Sequence, residues 1–255
     1  MILTSTHLNN ASICGRMGNQ IFIISSIVGL ARRTDLEYNL PWNYADRFNT
    51  PCAPKGKIPT GSATINYKEK SHDLDNNLYT FINNHKEFKG YMSVNGFLQD
   101  HRYFHEYRED IVKMFKSDDI IHKDTCAIHV RRGDYLKYPK HHPACGLPYY
   151  NKGIDIIKDK NRDCTFKVFS DDIAWCKGQF KGDEFVFVEG NDEVDDLLEM
   201  SRCENNIIAN STFSWLGAYF NQNPDKTVIK PKLWFGPASP HKTKYGYSVE
   251  GWTEL

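Results

Sequence analysis

Neither sign of charge is in surplus in this 255-residue chain, where 32 Lys and Arg balance 32 Asp and Glu. Nucleic acids and anionic membranes recruit a basic field, and this sequence has none overall, so any anion must be held locally. Cys-x-x-Cys pairs are missing among the seven cysteines. Their odd number, and their place in apolar stretches such as "TCAIHV", point to reduced thiols rather than a disulfide framework. Long hydrophobic runs are missing too: the most apolar stretch, Ile21 to Ala31, falls well short of the roughly 20 residues that cross a bilayer. "MILTSTHLNN" lacks the basic start and apolar centre of a secretory signal. These absences suggest a protein of the cytoplasm with no transmembrane segment, leaving peripheral membrane contact open. No metal-ligand set is complete either. His141, His142 and Cys145 in "HHPAC" find no further partner where a zinc ion asks for about four, and Asp73 and Asp75 in "HDLDNN" follow no apolar strand and read as solvated loop. N-x-S/T sequons occur at Asn10 and Asn210, but the surroundings of Asn210 read as too buried for a glycan.

What is present sharpens along the chain. "MILTST" opens a strand, "GRMGNQ" is a glycine-containing turn after which Asn19 and Gln20 open a helix, Ile21 to Arg33 is that helix, and "LEYNL" is a second strand. Residues 41–88 show little periodicity and read as loops and short elements. A helix is expected from about Asp100 to Lys116, with Phe104, Ile111, Val112 and Phe115 on its apolar side. Strand-length apolar runs follow at Cys126 to Val130, Phe166 to Phe169, Phe185 to Val188, Ile207 to Ala209 and Val228 to Ile229. Helical spacing fills the gaps: Tyr150, Ile154 and Ile157 form one face, Val194, Leu197, Leu198 and Ser201 another, and Phe213, Leu216 and Phe220 a third. Strand and helix in alternation imply an α/β chain with a parallel sheet.

The polar motifs fall where such a sheet binds ligands. "RRGD", "SDD", "EGND" and "NSTFS" each follow one of the first four of these strands, and open α/β sheets take ligands beyond the carboxyl ends of their strands. Arg131 and Arg132 directly after a buried strand need partners. A guanidinium fork suits a diphosphate, whereas the structural alternative is an ion pair with Asp134; the favoured split gives one arginine to each. Arg132-Gly133-Asp134 also spells an adhesion tripeptide, but strand flanks it where adhesion needs an exposed loop tip. Ser211 and Thr212 can cap the helix they precede, or, with its N–H groups, receive a phosphate. Asp171 either meets a base or ribose or caps the next helix.

The segments "IHVRRGDY" (Ile128 to Tyr135), "FSDDIAWCK" (Phe169 to Lys177) and "NIIANSTFSWLGAYF" (Asn206 to Phe220) resemble the α-1,2-fucosyltransferases of glycosyltransferase family 11, with support from "GRMGNQIF" and "GYMSVNGFLQDHRYF". The likeness is close from about Gly90 to Phe235. Its H-x-R-R-x-D element is shared with α-1,6- and protein O-fucosyltransferases, so it bears on the donor more than on the linkage. The resemblance implies a GT-B-like fold of two facing Rossmann-like domains with parallel sheets, an acceptor-facing one at 1–118 and a nucleotide-sugar-binding one at 119–255. It implies an inverting galactoside α-1,2-fucosyltransferase that moves fucose from GDP-fucose, as co-substrate, to a galactose-containing glycan, with no metal, no other cofactor and no nucleic acid. By the same likeness Arg131 contacts the diphosphate, while Arg132 and Asp134 organise the loop, Arg131 and Asp134 forming the catalytic pair. His129 and Asp171 lie near the guanine, Ser211, Thr212 and Phe213 line the phosphate pocket, Gly18 and Asn19 close over the donor, and Arg132 and Asn210 count among the GDP-fucose-binding residues. The sequence departs from the family where Cys14-Gly15-Arg16-Met17 stands for Gly-Gly-Leu and where Trp215 is followed by Leu216. Two rival readings remain: a transferase using the same donor for another linkage, and a non-catalytic nucleotide-sugar or adhesion module.

Overall fold

The computed structural model describes residues 1–9, 14–48, 61–70, 74–116, 118–239 and 245–255. The chain forms two compact units, Met1–Ser117 with Tyr245–Tyr247, and Asp118–Lys244 with Ser248–Leu255. Each is an α/β layer structure on a parallel sheet. Among the described residues there are seven α-helices, none long and apolar enough to cross a membrane.

The first unit carries β1 (Ile2–Thr4), α1 (Met17–Thr34), β2 (Glu37–Tyr38), β3 (Thr64–Lys68), α2 (Asn76–Asn84), β4 (Tyr91–Asn95) and α3 (Arg108–Phe115). Its sheet runs in the order β2-β1-β4-β3, with every pair parallel. Helix α1 is buried over most of its surface because its middle is a run of Ile, Phe, Val and Leu with only Ser and Gly between. It starts at Met17, two residues before the expected opening at Asn19. It ends where Asp35 turns left-handed (φ 53°) and its N–H returns to the carbonyls of Ala31 and Arg32, while Arg32 and Arg33 favour the negative end of the helix dipole.

Two expectations need correction in this unit. The single helix from Asp100 to Lys116 is instead two 3-10 turns, His101–Tyr103 and His105–Tyr107, followed by α3. The fully buried Asp100 accepts the Arg102 N–H and guanidinium and the Leu74 N–H, which tightens the chain into a turn. The spacing still located the core correctly, since Phe104, Ile111, Val112 and Phe115 are all buried. Asp75 is likewise buried rather than solvated: it caps α2 through the Asn77 N–H and also accepts from the Tyr67 hydroxyl and the Lys70 N–H. Asp73 and the Asn10 sequon lie outside the described residues.

The second unit runs β5 (His122–Val130), α4 (Leu147–Lys160), β6 (Thr165–Ser170), α5 (Ile173–Gln179), β7 (Phe185–Phe187), α6 (Glu193–Arg202), β8 (Cys203–Ile207), α7 (Thr212–Phe220), β9 (Val228–Lys230) and β10 (Thr253–Glu254). The sheet order is β10-β9-β8-β5-β6-β7, again all parallel. Cys126, Ile128 and Val130 of β5 pack with Phe166 and Val168 of β6 and with the Tyr150, Ile154 and Ile157 face of α4. Truncating a ring such as Phe166 here costs about 3–5 kcal/mol by the usual core scale. Strand β8 sits earlier than its apolar run suggested, at Cys203–Ile207 instead of Ile207 to Ala209. Its asparagines hide it from a hydropathy reading, yet the Asn206 amide bonds the Met200 carbonyl and accepts from Asn221, so these polar side chains are satisfied inside.

Candidate active site

From β5 the second unit builds outward through β6 and β7, then returns to the other flank of β5 with β8. The strand order reverses between β5 and β8, and open α/β sheets bind ligands at such a reversal, beyond the carboxyl ends of the strands. The RRGD turn leaves β5 there, the SDD turn leaves the neighbouring β6, and the NSTF turn leaves β8.

Neither arginine of the RRGD turn is stranded in solvent. The Arg131 side chain is only 13% exposed and reaches two carboxylates, Asp134 at 2.5 Å and Asp171 at 2.9 Å, while its guanidinium lies 5.5 Å from the centre of the Tyr135 ring. Arg132 pairs with Asp172 at 3.0 Å and stacks 3.9 Å over the Trp175 ring. The split expected from sequence is therefore redrawn: Arg131, not Arg132, pairs with Asp134, and both arginines have carboxylate partners. The capping alternative for Asp171 passes to its neighbour. Asp172 accepts the Trp175 N–H at the start of α5, which frees Asp171 to accept the Arg132 backbone N–H at 2.9 Å and to hold Arg131. The hydrogen bond from Arg132 holds the Asp172 carboxyl below its ordinary range. Gly133 lets this happen, since a Cβ there would stand 2.5 Å from the Asp171 Oδ2. The tripeptide thus has its arginine occupied by Asp172 and Trp175, an arrangement unlike a presented adhesion loop.

Around this pair the other expected residues divide. His129, the penultimate residue of β5, is 5% exposed, its ring 5.6 Å from Phe213, and its Nδ1 has no hydrogen-bond partner. Burial, with the Arg131 charge beside it, pushes its pKa down to about 3, so the imidazole is neutral. Ser211 stands at the N-cap of α7 but its hydroxyl makes no capping bond, contrary to the simplest expectation for that position. Asn210 is a fastener: its Nδ2 donates to the carbonyls of Pro143 and Trp234, and its own carbonyl accepts the Tyr135 hydroxyl at 2.8 Å. At 2% exposure its side chain is engaged in tying three loops together, which also explains why it is no glycan site. Within the HHPAC loop, His141 bonds the Ser239 hydroxyl and the Cys145 thiol, pushed up to about 11 by burial, leans on Asn210. Among the described residues no group of three His, Cys, Asp or Glu is arranged to hold a metal ion.

Gly18 and Asn19 belong to the first unit. They lie in the first turn of α1, entered from Gly15 in a left-handed conformation (φ 76°), and Asn19 Oδ1 accepts from the Gln99 side chain at 2.7 Å. At the carboxyl edge of this unit's sheet, Thr6 and Ser93 bond Asn95, which reaches Asn66. Glu69, directly after β3, accepts the Phe97 and Leu98 N–H groups on one oxygen and leaves the other without a partner. Desolvation raises its pKa to about 7 despite those bonds, with Asp75 and Asp100 adding to the rise. Sequence reading gave no individual role to Glu69, Asp172, Trp175 or Gln99, although Asp172 stood in the SDD motif. Only Asp172 had a legible signal, as the second of two carboxylates immediately before a helix.

Comparison with known proteins follows the same lines. The sequence model described as Glycosyl transferase family 11 matches residues 2–255. The O-antigen biosynthesis glycosyltransferase WbnK of Escherichia coli is 32% identical over 211 residues, covering 73% of this chain and 68% of the relative. The alpha-1,2-colitosyltransferase of Escherichia coli is 36% identical over 166 residues, 58% of this chain and 57% of that protein, so the chain spans little more than half of it. In three dimensions the chain is similar to the apo form of POFUT1 at a TM-score of 0.50 and 12% identity, covering 90% of this chain and 97% of that one. That likeness concerns the fold alone, which is GT-B-like.

Proposed function

This chain belongs to glycosyltransferase family 11, and from that premise we propose that it transfers L-fucose from GDP-β-L-fucose to O2 of a galactose in a glycan acceptor. In this reading the acceptor oxygen forms a bond to the anomeric carbon from the face opposite the nucleotide. The bond from that carbon to the diphosphate oxygen breaks, its electron pair leaves with GDP, and the α-1,2 linkage results from inversion. The acceptor proton goes to a base or to water.

The observation that carries the reading is the Arg131 guanidinium at the β5–β8 reversal, sheltered, and held in place by Asp134 and Asp171. Fixed charge of this kind stabilises a departing diphosphate without reorganising at the moment of reaction. In this reading the Thr212 and Phe213 N–H groups at the start of α7 and the uncapped Ser211 hydroxyl face the same anion, the Ser211 N–H being taken by the Ala209 carbonyl. The neutral His129 is then available to the guanine, with Asp171, already bonded to Arg131 and the Arg132 N–H, offering only its remaining lone pairs, and in this reading Gly18 and Asn19 are donor-binding residues as well. The reading needs no metal ion, because Arg131 and the helix start supply the positive charge.

The identity to a colitosyltransferase favours a second reading in which the donor is GDP-colitose. Colitose is fucose without its 3-hydroxyl, so the two donors share every contact assigned to GDP. Incubation of the protein with each donor and lactose, with and without a chelator, tests both. Release of GDP from GDP-fucose that survives chelation, with a trisaccharide whose new linkage is α-1,2 by NMR, is the expected result. Turnover of GDP-colitose alone reassigns the donor, a strict metal requirement overturns the metal-free chemistry, and no turnover of either donor over a broad acceptor panel overturns the assignment.

A further inference from the structure

A chain of amide and hydroxyl groups in the first unit joins three distant stretches of sequence. The Tyr247 hydroxyl donates to Gln99 Oε1 at 2.6 Å, and Gln99 Nε2 donates to Asn19 Oδ1 at 2.7 Å. Tyr247 is buried, and it belongs to the short C-terminal segment Tyr245–Tyr247 that is part of this unit. The same segment is fixed twice more: the His101 ring bonds the Gly246 carbonyl at 2.9 Å, and the Tyr247 ring packs edge-on to Phe22 of α1 at 5.8 Å.

Gln99 is itself presented by an unusual turn. Leu98, fully buried, holds φ at +47°, a region that a branched side chain enters only when its surroundings compel it. The surroundings are explicit. The Glu69 carboxylate takes the Phe97 and Leu98 N–H groups at 3.0 and 3.2 Å, and the Ser26 hydroxyl bonds the Leu98 carbonyl at 2.9 Å. On the far side, a Cβ on Gly15 would stand 2.4 Å from Asn19 Nδ2, so the left-handed glycine opens the space into which that amide nitrogen turns.

We infer that Gln99 is a positioning residue, which sets the sense of the Asn19 amide by turning its carbonyl inward and its nitrogen toward the Gly15 turn, with Tyr247 setting the sense of Gln99 in turn. The inference rests on the reading of Asn19 as a donor-binding residue. A carboxamide donates from one end and accepts at the other. Reversing it would replace a hydrogen-bond donor by an acceptor wherever Asn19 meets the nucleotide-sugar, and an acceptor repels the charge that develops on the departing diphosphate.

The experiment measures GDP release from GDP-fucose by the full chain and three single variants, with unfolding midpoints alongside. Asn19→Ala tests the premise and is expected to lower kcat/KM by about 10²-fold, the scale for loss of one donor to developing charge. Gln99→Glu keeps the shape but offers only acceptors, so the Asn19 amide must turn its nitrogen inward. We expect kcat to fall about as far, with KM little changed, and the double variant with Asn19→Ala to be no slower than either single. Tyr247→Phe removes one hydroxyl and is expected to lower kcat several-fold at an unchanged midpoint. If Asn19→Ala leaves kcat/KM intact, the donor-binding reading of Asn19 falls and this inference with it. If Asn19→Ala is slow while Gln99→Glu is not, or the two effects simply multiply, the inference alone falls. Should Gln99→Glu fail to fold, Tyr247→Phe decides: a folded variant with full kcat overturns the inference.

Discussion

The two parallel sheets end in edges of different chemistry. Beyond β5 and β6 stand two guanidinium groups and three carboxylates, each with an opposite partner: Arg131 with Asp134 and Asp171, Arg132 with Asp172. Beyond β1 and β4 stand Thr6 and Asn95, bonded to each other and to Ser93 and Asn66, all uncharged. The carboxylate on that side, Glu69, has been drawn out of water until its pKa approaches neutrality, and no cation pairs with it among the described residues. One edge carries paired charges and the other presents neutral hydrogen-bonding groups. On the function proposed above, the nucleotide diphosphate is assigned to the first of these edges.

That contrast can be broken most sharply at Arg131. Arg131→Ala is expected to remove GDP binding beyond calorimetric detection while circular dichroism stays native, and Arg131→Lys to restore little of it, since a point charge cannot fork onto two oxygens. Retained affinity in the folded alanine variant would place the anion elsewhere. A smaller break is Gly133→Ala, whose new methyl group displaces Asp171 and with it Arg131. A loss of roughly 10- to 100-fold in kcat/KM is expected, the scale for misplacing a catalytic group by about 1 Å, and unchanged kinetics would show that the Asp171 contact is dispensable.

The neutral edge is sharpened by variants that should spare GDP binding. Asp75→Ala strips the partners from the Tyr67 hydroxyl and from the Lys70 and Asn77 N–H groups. A stability loss of about 2–3 kcal/mol in urea is expected, with the affinity for GDP unchanged; weakened GDP binding would couple the two edges. The smallest effect is a slope. The folded protein holds a proton on Glu69 up to about pH 7, whereas the unfolded chain releases it near 4.5, so stability falls as pH rises between those values. Glu69→Gln should flatten that decline in urea midpoints taken from pH 5 to 8. An identical slope would mean that Glu69 ionises without penalty.

The same two regions differ in how far the sequence betrayed them. The second unit was legible because its strands β5, β6, β7 and β9 are apolar runs between well-spaced helices, so motif positions alone placed the charged cluster at the carboxyl edge of the sheet. β8 slipped because Asn205 and Asn206 look like loop residues until their amides find backbone partners inside. The ion pairs were half legible: two arginines and three aspartates announced a charged cluster, but which carboxylate faces which guanidinium depends on the Gly133 approach and on Asp172 taking the cap. The first unit was opaque because its strands are short and its decisive carboxylates are buried. Asp75, Asp100 and Glu69 look solvated in sequence, and only the backbone N–H groups folded around them show otherwise.

The return of Tyr245–Tyr247 to the first unit has a practical corollary for anyone dissecting this molecule. No single cut yields two complete halves, because a fragment ending near 117 forfeits Tyr247 and the Gly246 contact with His101. Trimming the last dozen residues injures both parts at once, taking Tyr247 from one and β10, with the Glu254–Lys230 pair, from the other. Fragments are therefore poor tools for telling the two edges apart, and point substitution within the whole polypeptide serves instead.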